Sequence, residues 1–202
     1  MEKARSNLLS PEPGKVIGLV GPPGYGLTRV GLSMLTEPAR RGPVVFLDVR
    51  GWISPPAAWE AGIPPDRLVV VRCPDRLQWP RVAAALLEGI RAVYAEMPPG
   101  IPEAALRRLA ALARSRRSSL LLRPLDGELP VGVAHLRLRA MGITWEGPRA
   151  GHGRLTGRRL MLEAAGRGAA GIERFIEVED DGEDAVRMVS RLAAAPAGRA
   201  VG

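Results

Sequence analysis

A glycine-rich turn near the start of the chain has the spacing of a phosphate-binding loop. Residues 21–28 read GPPGYGLT and match three fixed positions of the pattern G-x-x-x-x-G-K-[ST]. In such a loop the backbone amides hold phosphate oxygens, and the lysine offsets negative charge on the terminal phosphates. Leu27 stands at the lysine position, so we predict a degenerate nucleotide-binding loop that does not support efficient hydrolysis. Its candidate residues are Gly21, Gly24, Gly26, Leu27 and Thr28.

The segments around this turn alternate between strand and helix patterns. Short apolar runs predict buried strands at 15–20, 44–49, 68–73, 92–97 and 119–124. One-sided apolar stripes predict helices after the glycines to near Pro38, around 82–90 and around 105–112. Strands separated by helices favour a mostly parallel sheet with helices on both faces. The loop would then join the first strand to the first helix, although the same letters also fit a Gly/Pro-rich turn that binds no phosphate.

The pattern changes after Pro124. Strand-like segments at 134–141, 158–165 and 173–180 follow one another without intervening helices and predict antiparallel strands that extend the sheet. Residues 183–194 have the pattern of an amphipathic helix. We therefore predict that the chain has three parts: a flexible N-terminal arm at 1–14, a core domain at 15–182, and a C-terminal amphipathic helix and tail at 183–202.

Composition excludes several classes of protein. The 202 residues include one cysteine and two histidines, which rules out a disulfide framework and argues against a metal site built on soft ligands. No apolar run reaches the ~18 residues that a membrane span needs, and the first residues do not resemble an export signal, so we expect a cytoplasmic protein without membrane contact. The net charge of +8 favours an acidic partner such as nucleic acid. All 29 cations except Lys3 and Lys15 are arginine, however, which is also typical of a biased composition.

The order of these segments, from Gly14 to about Gly182, resembles the core ATPase domain of the bacterial recombinase RecA. GKVIGLVGPPGYGLT is similar to its first strand and phosphate loop, and FLDVRGWISPPAAWEAGIPPDRLVVVRCP is similar to its second strand, the following loop and its third strand. Residues 106–124, 135–147 and 174–182 are similar to later segments of the core. The resemblance implies an α/β fold with a RecA-like P-loop core, in which a mostly parallel twisted sheet is flanked by helices and has antiparallel strands at its C-terminal end.

Three catalytic elements of that family are altered together here. Arg50 stands where the family has the glutamate that positions the attacking water, Glu96 stands in place of an aspartate that helps to hold magnesium, and Leu27 replaces the lysine. The loops that carry single-stranded DNA in the recombinase correspond to about 98–103 and 125–133, which are short, acidic and without a cation. The resemblance therefore implies a pseudo-ATPase that is not an enzyme and has no catalytic residue, no metal and no cofactor, although ATP binding to the loop stays open.

A short chain with these eroded motifs resembles the ImuA branch of RecA-like proteins and its actinobacterial counterpart, with the cell-division inhibitor SulA as a more distant relative. This resemblance implies a catalytically inactive adaptor of a DNA-damage-inducible mutasome, which acts in the SOS response and in mutagenesis by translesion synthesis. The implied partners are an ImuB-like Y-family polymerase homologue and an error-prone polymerase, with weak DNA contact. Two alternatives stay open. One is an active, atypical P-loop ATPase of DNA repair or recombination in which Arg29, Arg50 or a partner's side chain replaces the lysine, and the other is a SulA-like inhibitor of a filament-forming protein.

Tryptophans and arginines supply the candidate contacts of such an adaptor. Trp52 and Trp59 flank two prolines in the loop after the second strand, and they either anchor a partner or cover an edge of the core. Arginines at 107–123 and at 149–167 form two basic clusters, which either contact phosphates or are solvated surface. The candidate contact residues are Trp52, Trp59, Arg114, Arg116, Arg117, Arg154, Arg158 and Arg159.

Overall fold

The computed structural model describes residues 8–147, 156–180 and 187–192, the last range by its backbone only. The strands are β1 (Val16–Val20), β2 (Val44–Asp48), β3 (Leu68–Arg72), β4 (Ala92–Met97), β5 (Ser119–Pro124), β6 (Leu136–Glu146), β7 (Gly157–Ala165), β8 (Arg174–Asp180) and β9 (Arg187–Leu192). The helices are α1 (Leu27–Ala39), α2 (Pro55–Glu60), α3 (Trp79–Gly89) and α4 (Glu103–Arg116). Of the α-helices within the described residues, the short helix α2 is the one that the sequence patterns did not predict.

These strands form one mixed sheet in the order β3-β2-β4-β5-β1-β6-β7-β8-β9. Every neighbouring pair from β3 to β6 is parallel, and every pair from β6 to β9 is antiparallel. The predicted α/β class, the mostly parallel sheet and the antiparallel strands after Pro124 are therefore confirmed. β1 lies in the interior of the sheet, between β5 and β6. In open α/β sheets, ligands bind beyond the carboxyl ends of the strands where the strand order reverses, so the turn after β1 is well placed for a site.

Helices cover both faces of the parallel part of the sheet. Successive side chains of a strand point to opposite faces, so a strand buried on both faces is apolar throughout. Phe46 of β2 and Tyr94 of β4 belong to the core that packs against α1 and α2, and their rings stack with centroids 4.5 Å apart. Val45 and Val93, one residue earlier on each strand, belong to the core under α3 and α4. The alternation therefore places Asp48 and Glu96, at the ends of the same strands, on the α1 face.

The amphipathic helix predicted at 183–194 is wrong over the six residues that the structure describes there. Residues 187–192 form β9, which pairs antiparallel with β8, and Phe175 stands opposite Leu192. The apolar spacing in so short a segment fits a strand as well as a helix, and β8 offers a row of backbone groups that a strand can pair with. The rest of the predicted helix and tail lies outside the described residues.

The flexible arm predicted at 1–14 is also wrong for its second half. Leu8 and Leu9 are buried at 5% and 8% exposure and pack into the core under α1. The backbone carbonyl of Glu12 accepts hydrogen bonds from the amide of Lys15 at 3.2 Å and from Ser119 Oγ at 2.9 Å. These contacts tie residues 8–14 to the amino ends of the strands. No helix within the described ranges has the length and apolar character that crossing a membrane requires.

Candidate functional site

Gly26 ends the glycine-rich turn and starts α1. Its φ of 74° lies in the left-handed region, which glycine adopts without strain. Leu27, the first residue of the helix, is 2% exposed and packs into the core on the α1 face. The side chain at the lysine position therefore points into the protein and supplies no charge to the loop. The amides of the first helical turn remain as the loop's own anion-binding groups.

α1 approaches β4 so closely that a side chain has no room at Gly31. A Cβ atom at that residue would lie 2.1 Å from Cε2 of Tyr94. Tyr94 is fully buried, and its hydroxyl has no hydrogen-bond partner among the described residues. Burial raises the pKa of Tyr94 well above its usual range, although the Thr28 hydroxyl and the Arg123 charge act in the opposite direction. A neutral phenol therefore lies beneath the first turn of α1.

An ion pair joins the ends of β2 and β4. Glu96 is 1% exposed, and its Oε1 accepts from Arg50 Nε at 3.0 Å and also from Arg50 Nη2. Its other oxygen, Oε2, accepts from the backbone amides of Val49 at 3.1 Å and Arg50 at 3.2 Å. Both oxygens of the Glu96 carboxylate therefore accept hydrogen bonds from donors of the β2 loop. Arg50 and Glu96, the two residues predicted to be eroded catalytic positions, bind each other.

Asp48, the last residue of β2, is the second buried carboxylate at this edge. It is fully buried, and its Oδ1 accepts from the amide of Gly51 at 2.8 Å. Its Oδ2 has no hydrogen-bond partner within the described residues, and the nearest charge is Arg72 Nε at 4.0 Å. Asp48 thus holds the turn that carries Arg50. No group of three or more His, Cys, Asp or Glu side chains in the described part of the chain could hold a metal ion.

Arg123 lies behind the glycine-rich turn. It is the penultimate residue of β5 and lies beside Glu96 in the sheet. Its side chain is 7% exposed and donates from Nη2 to the carbonyl of Gly21 at 2.9 Å. Burial lowers the pKa of its guanidinium from the usual value. The sequence analysis grouped Arg123 with the basic cluster of α4, but the residue is enclosed and supports the loop. A charged residue at the end of the apolar run SLLLRP was the available signal.

Arg158 brings a second guanidinium to the loop from the antiparallel part of the sheet. β6 and β7 continue past the end of β1, and a Cβ atom at Gly26 would lie 2.4 Å from Nη1 of Arg158. The same guanidinium stands 5.8 Å from the centre of the Trp145 ring. Arg159 pairs instead with Glu146 at 3.0 Å and Glu179 at 3.6 Å. Arg158 was predicted as a partner or DNA contact, and the structure places it on the glycine loop.

The candidate aromatic contacts, Trp52 and Trp59, follow β2 in the chain and are exposed. Trp52 is 73% exposed, and the Arg50 guanidinium lies 4.6 Å from its ring centre. Trp59 on α2 is 46% exposed. Trp79, by contrast, is fully buried and donates from Nε1 to the carbonyl of Glu96 at 2.7 Å. Of the two explanations for Trp52 and Trp59, the exposure favours a surface contact for Trp52 in particular.

The candidate arginines of α4 do not belong to this edge. Arg114, Arg116 and Arg117 lie at the C-terminal end of α4, where the chain enters the amino end of β5. Arg29, proposed as a replacement for the lysine, pairs with Glu60 at 3.4 Å. Arg154 lies outside the described residues. The structure therefore collects Gly21, Gly26, Thr28, Arg50, Glu96 and Arg158 at the carboxyl edge and separates them from the basic residues of α4.

The chain belongs to the family of the MT3502 N-terminal domain. Residues 24–127, just over half of the chain, match the model described as the MT3502 N-terminal domain. The matched segment runs from the glycine-rich turn to beyond the end of β5, and it includes Arg50, Glu96 and Arg123. None of the curated proteins compared with the chain matches it.

Proposed function

We propose that this protein is a catalytically inactive, RecA-like adaptor that acts through protein contacts in DNA-damage-induced translesion synthesis. The observation that carries the inactive state is the pairing of Glu96 with Arg50. Magnesium in a nucleotide site needs a carboxylate oxygen within reach, and both oxygens of Glu96 accept hydrogen bonds from the β2 loop. The charge of Arg50 also neutralises the carboxylate that would attract the cation.

The glycine loop supports the same proposal. Leu27 is buried, so no lysine stands ready to stabilise charge on a terminal phosphate. The position of β1 between β5 and β6, the mixed sheet and the eroded loop together support a RecA-like core. Within that core the resemblance to the ImuA branch proposes an ImuB-like polymerase homologue and an error-prone polymerase as partners.

The surface proposed for these partners includes Trp52 and Trp59. Both follow β2, and Trp52 stacks against the same Arg50 that holds Glu96. Tryptophan and arginine are the residue types that most often anchor protein interfaces. In this proposal the ion pair between Arg50 and Glu96, which blocks magnesium binding, also positions Trp52 for contact with a partner.

Calorimetry with magnesium-ATP, with phosphate release followed in the same sample, tests the inactive state. We expect neither phosphate release nor tight magnesium-dependent binding. Turnover by the purified protein that is lost in the Arg158→Gln variant would reject the proposal and favour the atypical ATPase. The atypical ATPase remains the alternative function because the Arg158 guanidinium lies next to Gly26, where a charge replacing the lysine would be needed.

Binding to a purified ImuB-like protein tests the adaptor role. Trp52→Ala should weaken this complex by about 2 kcal/mol or more, while the melting temperature of the variant alone stays close to that of the parent. Ile172→Ala is the matched control, because Ile172 is 59% exposed and precedes β8 at the opposite end of the sheet. Equal effects of the two substitutions would exclude the Trp52 surface. Binding to a filament-forming protein in place of the polymerase homologue would favour the SulA-like alternative.

A further inference from the structure

The end of the sheet opposite to the glycine loop carries a basic groove. The groove has a volume of about 700 Å³ and lies where residues 10–13 pass the amino ends of β4 and β5. Four arginines from three separate parts of the sequence line the groove: Arg41, Arg91, Arg116 and Arg117. Its described acidic lining residues are Glu12 and Glu37. The sequence cluster on α4 supplied only two of these four arginines, and the fold added the others.

Two of the four arginines are uncompensated within the described residues. Arg41 pairs with Glu37 at 2.8 Å, and Arg116 lies 4.0 Å from Glu88. The side chains of Arg91 and Arg117 make no hydrogen bond or ion pair with any described residue, and both residues are exposed. Arg117 also ends α4 in the left-handed conformation with φ of 55°, where glycine is the usual residue. The groove therefore keeps net positive charge open to solvent.

A smaller basic pocket continues the groove along the same end of the sheet. It has a volume of about 260 Å³, and its charged or titratable lining residues are Lys15, Arg114, His135 and Arg167. Gly14 lines this smaller pocket and lies close to both cavities. A Cβ atom at Gly14 would lie 3.4 Å from the Cα of Arg114, which lines the pocket, and 3.6 Å from the Cα of Arg117, which lines the groove. Partial burial and then the Lys15 charge lower the pKa of His135, which agrees with a positive field in the pocket.

We propose that this amino-end groove binds the phosphate backbone of duplex DNA without reading its sequence. Phosphates need cations and hydrogen-bond donors, which the groove presents from several elements. The described lining of the large cavity contains no aromatic side chain on which bases could stack, and its only apolar residues are Pro11, Pro13 and Pro38. A protein segment would need large apolar or aromatic anchor points that this lining does not offer. The site is independent of the glycine loop and goes beyond the adaptor role.

The test is the binding of a short fluorescent DNA duplex to the full chain, measured by anisotropy at several salt concentrations. The groove variant is Arg91→Gln with Arg117→Gln. The matched control is Arg81→Gln with Arg108→Gln, which removes the same charge from exposed positions of α3 and α4 outside both cavities. We expect the groove variant to lose at least about tenfold in affinity near 0.1 M salt. The slope of log affinity against log salt should fall by about 2 for duplexes of unrelated sequence alike.

A third variant should change binding in the opposite direction. Glu37→Gln removes an acid from the groove and releases Arg41 from its ion pair, so affinity should rise severalfold. Melting curves establish that each variant is folded. Equal losses in the groove and control variants would show attraction by net charge alone and would overturn the proposal. An acidic peptide that binds the parent tightly when DNA does not would overturn it in favour of a protein partner. Neither result bears on the polymerase contact, which is measured separately.

Discussion

Arg50 donates from Nε and Nη2 to one carboxylate oxygen of Glu96, the residue that stands at the end of the neighbouring strand. In the RecA-like core proposed above, these are two of the three positions that differ from the catalytic pattern. The longer side chain of glutamate reaches the amides of the β2 loop as well as the guanidinium. Arg50 and Glu96 therefore form one structural unit, in which the guanidinium of the β2 loop and the carboxylate of β4 bind each other.

Removing the Arg50 side chain should destabilise the protein more than removing the charge of Glu96. Arg50→Ala leaves a buried carboxylate without its charge partner, and we expect a loss of roughly 2–3 kcal/mol in the free energy of unfolding. The loss should lie below that of a fully buried pair because the Arg50 side chain is 28% exposed. Glu96→Gln keeps an oxygen for the amides and leaves Arg50 access to water, so about 1 kcal/mol is expected. Urea unfolding measures both, and equal losses would contradict the asymmetry.

A lysine at position 27 should not give the protein nucleotide chemistry. Leu27→Lys places an amine where the structure has a core side chain, and we expect a loss of more than about 3 kcal/mol in stability with no gain of magnesium-ATP binding. Leu27→Met is the volume-matched control and should cost less than about 1.5 kcal/mol. A stable lysine variant that hydrolyses ATP would contradict the proposed inactive state.

The contact between α1 and β4 should be sensitive to one added methyl group. Gly31→Ala forces a carbon against the Tyr94 ring, so we expect destabilisation of at least about 1–3 kcal/mol. Tyr94→Phe removes a buried hydroxyl that has no partner among the described residues and should stabilise the protein by about 1 kcal/mol. Thermal unfolding checks both changes. A marked loss of stability in Tyr94→Phe would mean that the hydroxyl is satisfied in solution.

His135 should make stability fall as the solution becomes acidic. Its pKa in the folded protein lies below the usual value of 6.5, chiefly because of desolvation and then because of Lys15, with Arg167 acting in the same direction and Glu12 against it. Below pH 6.5 the unfolded chain takes up a proton that the folded chain does not, so stability is lost as the pH falls towards the folded pKa. In His135→Asn this part of the loss should disappear. Urea unfolding at pH 7.5 and 5.5 compares the two proteins, and an unchanged pH dependence would contradict the assignment.

DNA binding should reverse the shift of the same histidine. A phosphate near Lys15 and Arg167 offsets their charge and stabilises the imidazolium, so the pKa of His135 should rise when duplex DNA is added. With two histidines in the chain, His135 and His152, NMR titration of the ring protons resolves each one, and His135→Asn assigns them. A pKa that stays constant at saturating DNA would place the duplex away from this pocket.

The sequence by itself determined the order of the elements and their class. Continuous apolar runs such as AVYAEM and SLLLRP are strands at the predicted residues 92–97 and 119–124, because strands buried on both faces must be apolar at every position. The glycines at 21, 24 and 26 determined a tight turn into α1, since each has a positive φ that other residues avoid. The same patterns could not decide between helix and strand for 187–192, where hydrogen bonding to β8 prevails.

Only the tertiary structure decided which charges meet. Arg50 and Glu96 are 46 residues apart in the sequence, and most of the chain separates Gly26 from Arg158. The helices α2, α3 and α4 lie between Arg41 and Arg117. Local sequence patterns report burial and periodicity, which depend on neighbours along the chain. Contacts between strand ends depend on strand order and register, which are set by the packing of the whole sheet. The arginine clusters of the sequence were therefore divided by the fold, one part supporting the glycine loop and the other lining the groove at the opposite end.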